Sequence, residues 1–319
     1  QWMIIALAVY QIPFALVGPS FGAFLAENST EENRGKVYGI TGSIYQIVGV
    51  LGPPLGGFLA AAYGFKAMLL VATVFYILAV GLRIWMATTM RSPEEKSTSP
   101  LSMASFKSSL ATLFGMMLGG CVITWIFITD GISDIAFRLS GELQPIYLQQ
   151  VGGISIQQIG FLGSISALSL MFIPMLSGKL SDRYGERISI VGGFLLIFAG
   201  LMLFLQASNF FAFALSSVVF GVGGGLLGPA YQSLISKVVP AKMLGTFSGV
   251  FESSRGFISL PAPWLGAQLW ENVSPQTPFL ITSLATLVIL PQIWFKFKAP
   301  KDQSSAASPE ASQCEAAEA

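Results

Sequence analysis

The chain has 319 residues, of which 53% are hydrophobic and only 10% charged, with a mean hydropathy of +0.68. A soluble domain carries about a quarter charged residues, so a water-soluble fold is excluded and the lipid bilayer is the expected surrounding. A net charge of +1 offers no field for a nucleic acid, and the absence of His removes imidazole catalysis and His-ligated metals. The two cysteines, Cys121 in an apolar run and Cys314 in a polar tail, give neither a disulfide framework nor metal-ligand spacing. No metal or cofactor is expected.

Nine apolar runs are long enough to cross about 30 Å of hydrocarbon. They lie near residues 2–25, 37–62, 67–86, 110–149, 156–176, 188–205, 210–237, 244–270 and 279–295. All are read as helices, because lipid forces each segment to satisfy its own backbone and none of the runs alternates as barrel strands do. Apolar sequence starts at Gln1 without the basic flank and cleavage site of a signal peptide, so the beginning is read as truncated. Ser155 followed by Gln158 predicts a capping box at the start of the fifth run.

The charged residues orient these spans. With the short segment 178–187 on the cytoplasmic side, all of the 17 Lys and Arg residues except Lys66, Arg138 and Arg255 fall inside. Residues 89–109 form a polar inner loop rich in Ser, Thr and Pro, and residues 298–319 read as a disordered cytoplasmic tail. The chain therefore divides into 1–88, the loop 89–109, a six-span unit 110–297 and the tail 298–319.

An internal repeat supports that division. At one constant offset, Val9, Leu16, Gly18, Pro19, Gly35, Gly39, Pro53, Leu55 and Gly56 reappear as Val219, Leu226, Gly228, Pro229, Gly245, Gly249, Pro263, Leu265 and Gly266. Shared Gly and Pro fix helix bends and close packing, so the match is structural in kind. The runs at 110–149, 156–176 and 188–205 find no partner upstream at this offset, which reads as the last nine of twelve spans.

Charge inside the spans points to function. Asp130, Asp134, Arg138 and Glu142 recur every four residues, so a continuous helix would carry all four on one stripe. Ionised groups at this depth cost several kcal/mol unless they face water or a partner. A carboxylate removed from water also holds a proton more readily, which suits cation recognition or proton coupling. Pairing of Asp134 with Arg138, and of Arg138 with Glu142, is the structural alternative. Glu252 and Arg255 form a second pair, three residues apart, able to close on itself or to answer the acidic stripe. Trp125, Phe127, Phe137, Phe251 and Phe257 are candidate linings of an aromatic cavity.

Between two apolar runs, Gly178, Leu180, Asp182, Arg183, Gly185 and Arg187 are spaced Gly-x-Leu-x-Asp-Arg-x-Gly-x-Arg. Gly178 and Gly185 would permit a close turn there. This pattern resembles the short cytoplasmic loop of the major facilitator superfamily. The resemblance implies an all-α membrane fold of two pseudo-symmetric helix bundles, with a substrate site between them and the loop acting as a gate. In the same way it implies that Asp182 caps or pairs with the inner end of the second span, where Arg34 and Gly35 stand. The run Gly52-Pro53-Pro54-Leu55-Gly56-Gly57, with Gly39 upstream, resembles a motif of the antiporter branches. Val48 stands where a middle glycine is usual, and Leu7 where drug–proton antiporters often carry an Arg.

The resemblance implies a drug-efflux-like, proton-coupled transporter of small molecules, with no enzymatic activity; a bacterial inner membrane is the expected location because the chain is compact and shows no targeting sequence. An uptake permease or symporter for a small metabolite is the alternative within the class. A membrane-embedded enzyme would need a second Asp-rich motif besides Asp130 and Asp134, and the sequence has none. A non-transporting scaffold would not bear the cost of the acidic stripe.

Overall fold

The computed structural model describes residues 34–89, 122–239 and 244–297. The first predicted span, the polar loop, the tail and the first half of the repeat up to residue 33 lie outside the described residues. All regular structure among the described residues is helical. Two compact units, Gln1–Leu51 and Gly52–Ala319, are distinguished. Of the first, the described part is the beginning of α1; everything below concerns the second unless stated.

Helix α1 (Arg34–Thr89) consists of two helices that meet at a kink, corresponding to the runs predicted at 37–62 and 67–86. The expected outer loop is only a kink at Gly64, whose φ of 81° and ψ of 163° are open to glycine and strained for other residues. The run predicted at 110–149 is not one helix. Its described part is α2 (Val122–Gly141), a turn at Glu142 and Leu143, then the short α3 (Gln144–Gln150). Pro145 explains the break, because its ring clashes with the carbonyl four residues back, that of Gly141. Glu142 therefore leaves the helical stripe that carries Asp130, Asp134 and Arg138.

Helix α4 (Ile156–Tyr184) begins with the predicted capping box: Gln158 N donates to Ser155 Oγ at 3.3 Å, and Ser155 N donates to Gln158 Oε1 at 3.0 Å. The helix runs on through Gly178, Asp182 and Arg183, so the segment expected to form a turn over 178–187 is mostly helical. The chain reverses at Gly185 alone, with φ 87°, and α5 (Glu186–Gln206) starts at the next residue. Helix α6 (Phe210–Val238) is capped by Asn209, whose side chain accepts from Ala212 N at 3.0 Å. The run predicted at 244–270 is divided into α7 (Leu244–Ile258) and α8 (Ala262–Asn272). Pro261 stops the first by the same clash, here against the Phe257 carbonyl, and opens the second. Helix α9 (Thr277–Lys296) ends the described chain.

Among the described residues, five helical segments are long and apolar enough to cross a membrane: Ile44–Met86 within α1, Ile156–Pro174 within α4, and α5, α6 and α9. Helix α2 matches α9 in length but carries Asp130, Asp134 and Arg138.

Helix α6 lies between α4 and α5, α9 packs on α5 and α2, and α8 lies on α2. Glycines set the approach. A Cβ at Gly223 would lie 2.7 Å from the Gly193 carbonyl oxygen and 2.9 Å from the Ile197 amide nitrogen on α5. On the opposite side, a Cβ at Gly225 would lie 2.7 Å from Ile173 Cβ on α4. Ser177 of α4 donates to the Leu226 carbonyl at 2.8 Å, close to the bend that Pro229 puts into α6. One apolar cluster, around Ile126, Phe194, Leu234 and Ile293, fills the end where α4 meets α5. A second, around Tyr147, Phe204, Phe213 and Phe279, fills the end where α3 lies.

Gly223→Ala is expected to lower thermal stability of the full-length protein by the equivalent of about 1–3 kcal/mol, because its new methyl meets backbone rather than a movable side chain. Gly192→Ala, on α5 with open space around it, should be neutral or stabilising by up to about 1 kcal/mol. Thermal unfolding in detergent, read by tryptophan fluorescence, distinguishes the two.

Candidate functional site

Asp130 and Asp134 are one turn apart on α2, and Arg255 reaches them from α7. Arg255 Nη1 donates to Asp130 Oδ2 at 2.8 Å, and Nη2 lies 3.3 Å from Asp134 Oδ1. Asp134 Oδ2 accepts from Arg138 Nε at 2.9 Å, and Glu252 Oε1 is 3.7 Å from Arg255 Nη1. The centre of this network is shielded and its ends are open: the Asp134 and Asp130 side chains are 13% and 18% exposed, those of Arg138 and Glu252 50% and 67%. Three carboxylates thus share two guanidiniums, an excess of one negative charge when all are ionised. Glu142 is exposed and enters no ion pair among the described residues, so the expected Arg138–Glu142 contact is absent.

Neutral polar groups hold α2 against α9 beside these charges. Gln292 Nε2 donates to Thr129 Oγ1 at 3.0 Å, and the buried Thr282 hydroxyl donates to the Ala136 carbonyl at 2.6 Å. Sequence reading missed both. A lone Gln or Thr inside an apolar run carries no spacing signal, and only the neighbouring helix gives it a partner.

The segment around Gly185 is tied to the same bundle by other residues than those expected. Glu186, 5% exposed, accepts from Ser233 Oγ at 2.8 Å and from Lys237 Nζ, both on α6. Arg187 stacks over the Trp294 ring at 4.4 Å and donates to the Trp294 carbonyl at 2.8 Å. Lys296 Nζ sits 4.9 Å above the Trp125 ring. Arg183 is exposed and lies against its neighbour Tyr184. The side chains of Asp182, Lys179, Arg34 and Gly35's surroundings lie outside the described ones, and with them the expected capping contact. The acidic Glu186 amid basic neighbours was a legible hint that it needed a cation nearby.

The aromatic residues do not share one cavity. Phe251 is buried, edge-on to Phe127 at 5.9 Å, whereas Phe257 is 79% exposed. Phe137 lines a separate cavity of about 340 Å³ with Leu170, Phe204, Phe220, Ser216 and Ser217. In the glycine- and proline-rich run, Pro53 to Gly57 crosses α4 closely. A Cβ at Gly57 would meet the Ile156 carbonyl at 2.9 Å, and one at Gly160 would meet the Pro53 carbonyl at 2.5 Å. Among the described residues nothing lies within 4 Å of a Cβ at Gly52 and only Met68 within 4 Å of one at Gly56, and the surroundings of Gly39 lie outside the described ones. No group of His, Cys, Asp or Glu among the described residues is arranged to hold a metal ion.

The paired charges of α2 and α7 lie among helices long and apolar enough to cross a membrane, which is the setting of functional groups in integral membrane proteins as a class. The profile of the Major Facilitator Superfamily matches residues 1–137 and 126–316, so the chain belongs to that family and is an integral membrane protein. Membership sets aside the membrane-embedded enzyme. The multidrug resistance protein MdtG of Escherichia fergusonii is 26% identical over 288 residues, covering 86% of this chain and 66% of that protein. The multi-drug resistance efflux pump PmrA of Streptococcus pneumoniae is 26% identical over 280 residues, covering 85% and 66%. The quinolone resistance protein NorA of Staphylococcus aureus is 33% identical over 139 residues, covering 42% and 34%. The chain spans 66% of the length of the first two relatives. Among solved structures, a peptide transporter in complex with sulfate aligns over 60% of this chain and 42% of that one, at 19% identity and a TM-score of 0.41.

The shielded part of the network should dominate its energetics. In a double-mutant cycle of Asp130→Asn and Arg255→Gln, unfolding in mixed detergent micelles is expected to give a coupling of about 1–3 kcal/mol. The Asp134–Arg138 pair, half open at Arg138, should give about 1 kcal/mol or less.

Proposed function

We propose that the protein is a secondary transporter that exports lipophilic cations in exchange for protons across a bacterial inner membrane. The observation that carries this reading is the Asp130–Asp134–Arg255 network, in which carboxylates outnumber guanidiniums in a chain built for lipid. The names of the bacterial relatives, which refer to multidrug resistance and efflux, support the substrate class.

The chemistry follows from competition for the same oxygens. Arg255 is held by Asp130 and Asp134, and Arg138 takes the other Asp134 oxygen. A proton on either aspartate removes the charge that holds Arg255, and a substrate cation would seek that same charge. Proton and cation therefore exclude one another, which is the condition for exchange. Alternating access would be a rocking of the halves 1–88 and 110–297 about the site, with the repeat as its sequence basis. The segment around Asp182, Arg183 and Arg187 would serve as the inner gate, and the run Gly39 to Gly57 as the close-packed helix of an antiporter. The proton gradient would supply the energy without a cofactor.

Full-length protein in proteoliposomes with an imposed pH gradient tests this. Gradient-driven uptake of tetraphenylphosphonium is expected in the wild type and a loss of at least about tenfold in Asp134→Asn, since the amide removes one of the negative charges that proton and cation would compete for. Transport indifferent to the gradient and to the substitution would remove the antiport reading.

A further inference from the structure

The cavity of about 340 Å³ lies where α2, α3, α4, α5 and α6 converge, at the low end of the volumes in which proteins hold small molecules, about 300–1,000 Å³. Protein interiors otherwise contain few voids larger than a water molecule. The helices around it are not loosely set. A Cβ at Gly221 of α6 would lie 2.9 Å from the Ser166 carbonyl oxygen of α4, and one at Gly200 of α5 would lie 2.9 Å from the Phe220 amide nitrogen of α6. The space therefore stands beside backbone contacts, at the level where α2 ends and the chain turns into α3. Gly141, Gln144 and Pro145, at that break, are exposed and form its mouth. Leu148, Leu162, Phe204 and Phe279 are buried and form its depth.

The lining decides what the cavity can hold. No charged side chain is part of it, so an ion would lose its hydration there without meeting a counter-charge. Phe137 of α2 and Phe220 of α6 meet edge-to-face at 6.2 Å in its wall, and with Phe204 and Phe279 they offer the contacts that a further ring prefers. Beyond Gln144 at the mouth, its polar side chains are serine hydroxyls. Ser216 and Ser217 both donate to the Phe213 carbonyl, at 3.1 and 2.9 Å, which commits their protons and leaves their lone pairs as acceptors. An uncharged ring with an O–H donor satisfies both kinds of lining.

We propose that this cavity is a binding site for an uncharged phenol, whose ring packs on the phenylalanines and whose hydroxyl donates to Ser216 or Ser217. A phenol, with a pKa of about 10, is neutral at physiological pH. The site is separate from the ion network: Asp130, Asp134 and Arg255 do not line it, and Phe137, three residues beyond Asp134, is the first residue of α2 that does. The proposal therefore does not rest on the cation reading.

Two matched probes test it: 4-tert-butylphenol and 4-tert-butyltoluene, close in shape and both uncharged, of which only the first carries an O–H. Binding to the full-length protein in nanodiscs is measured by calorimetry, with empty nanodiscs subtracting partition into lipid. The wild type is expected to bind the phenol saturably and to prefer it by about five- to tenfold, the effect of one hydrogen bond. In the double variant Ser216→Ala, Ser217→Ala that ratio should fall toward unity. Both hydroxyls donate only to a carbonyl of their own helix, so the variant should keep the wild-type unfolding temperature within a few degrees. Ala167→Leu, which puts a larger side chain into the lining, should abolish saturable binding of both probes. Absence of saturable phenol binding in the wild type would overturn the proposal. So would equal affinities for the two probes, or a preference that survives in the double variant.

Discussion

A charge placed in hydrocarbon must find its counter-charge within the protein, and in this chain Arg255 is where that requirement is met. Its guanidinium joins α7 to two successive turns of α2. A lysine could not do the same, because the planar fork of Arg presents several donors in fixed directions. The break between α7 and α8 at Pro261 lies just beyond Arg255, so the helix carrying the cation is short, and Ser259 donates back to the Arg255 carbonyl at 2.8 Å to close its end. Position, length and termination of α7 all serve one residue.

That arrangement needs a rigid frame, and the glycines of α6 provide it. With Gly223 against α5 and Gly221 against α4, where a Cβ would lie 2.9 Å from the Ser166 carbonyl oxygen, three helices approach closely enough for backbone to touch backbone. Such contact replaces the hydrophobic drive that is weak between helices in lipid. Buried hydroxyls then do locally what water would do elsewhere: Ser177, Thr282 and Ser181 each find a partner on a neighbouring helix or turn. Near the reversal at Gly185, Glu186 and Arg187 fasten α5 to the ends of α6 and α9. This fastening lies in the same segment as the Gly178 to Arg187 motif.

Much of this was legible without coordinates. Composition alone gave a membrane protein, apolar run lengths gave the helices, and the Ser155–Gln158 box marked a helix start to the residue. The spacing of Asp130, Asp134 and Arg138 placed them together on α2, because helical geometry is local. Reading failed where proline and glycine acted. Pro145 and Pro261 divided two runs, and Gly185 reduced an expected loop to one residue. Hydropathy is blind to those events, since an apolar proline adds to a run while ending its helix.

The sequence by itself determined the solvent, the helical class, the family motif and the local acidic stripe, because each depends on composition or on residues a few positions apart. Only the tertiary structure decided which cation serves that stripe. Arg138 and Arg255 were both candidates by type, and the packing of α7 on α2 brought Arg255 to the shielded side of Asp130 and Asp134. It alone also showed that Gln292 of α9 finds its partner in Thr129 of α2, and that the Tyr231 hydroxyl is buried without an acceptor among the described residues. Whether a polar group is satisfied depends on distances between chain segments far apart in sequence, and no local pattern encodes them.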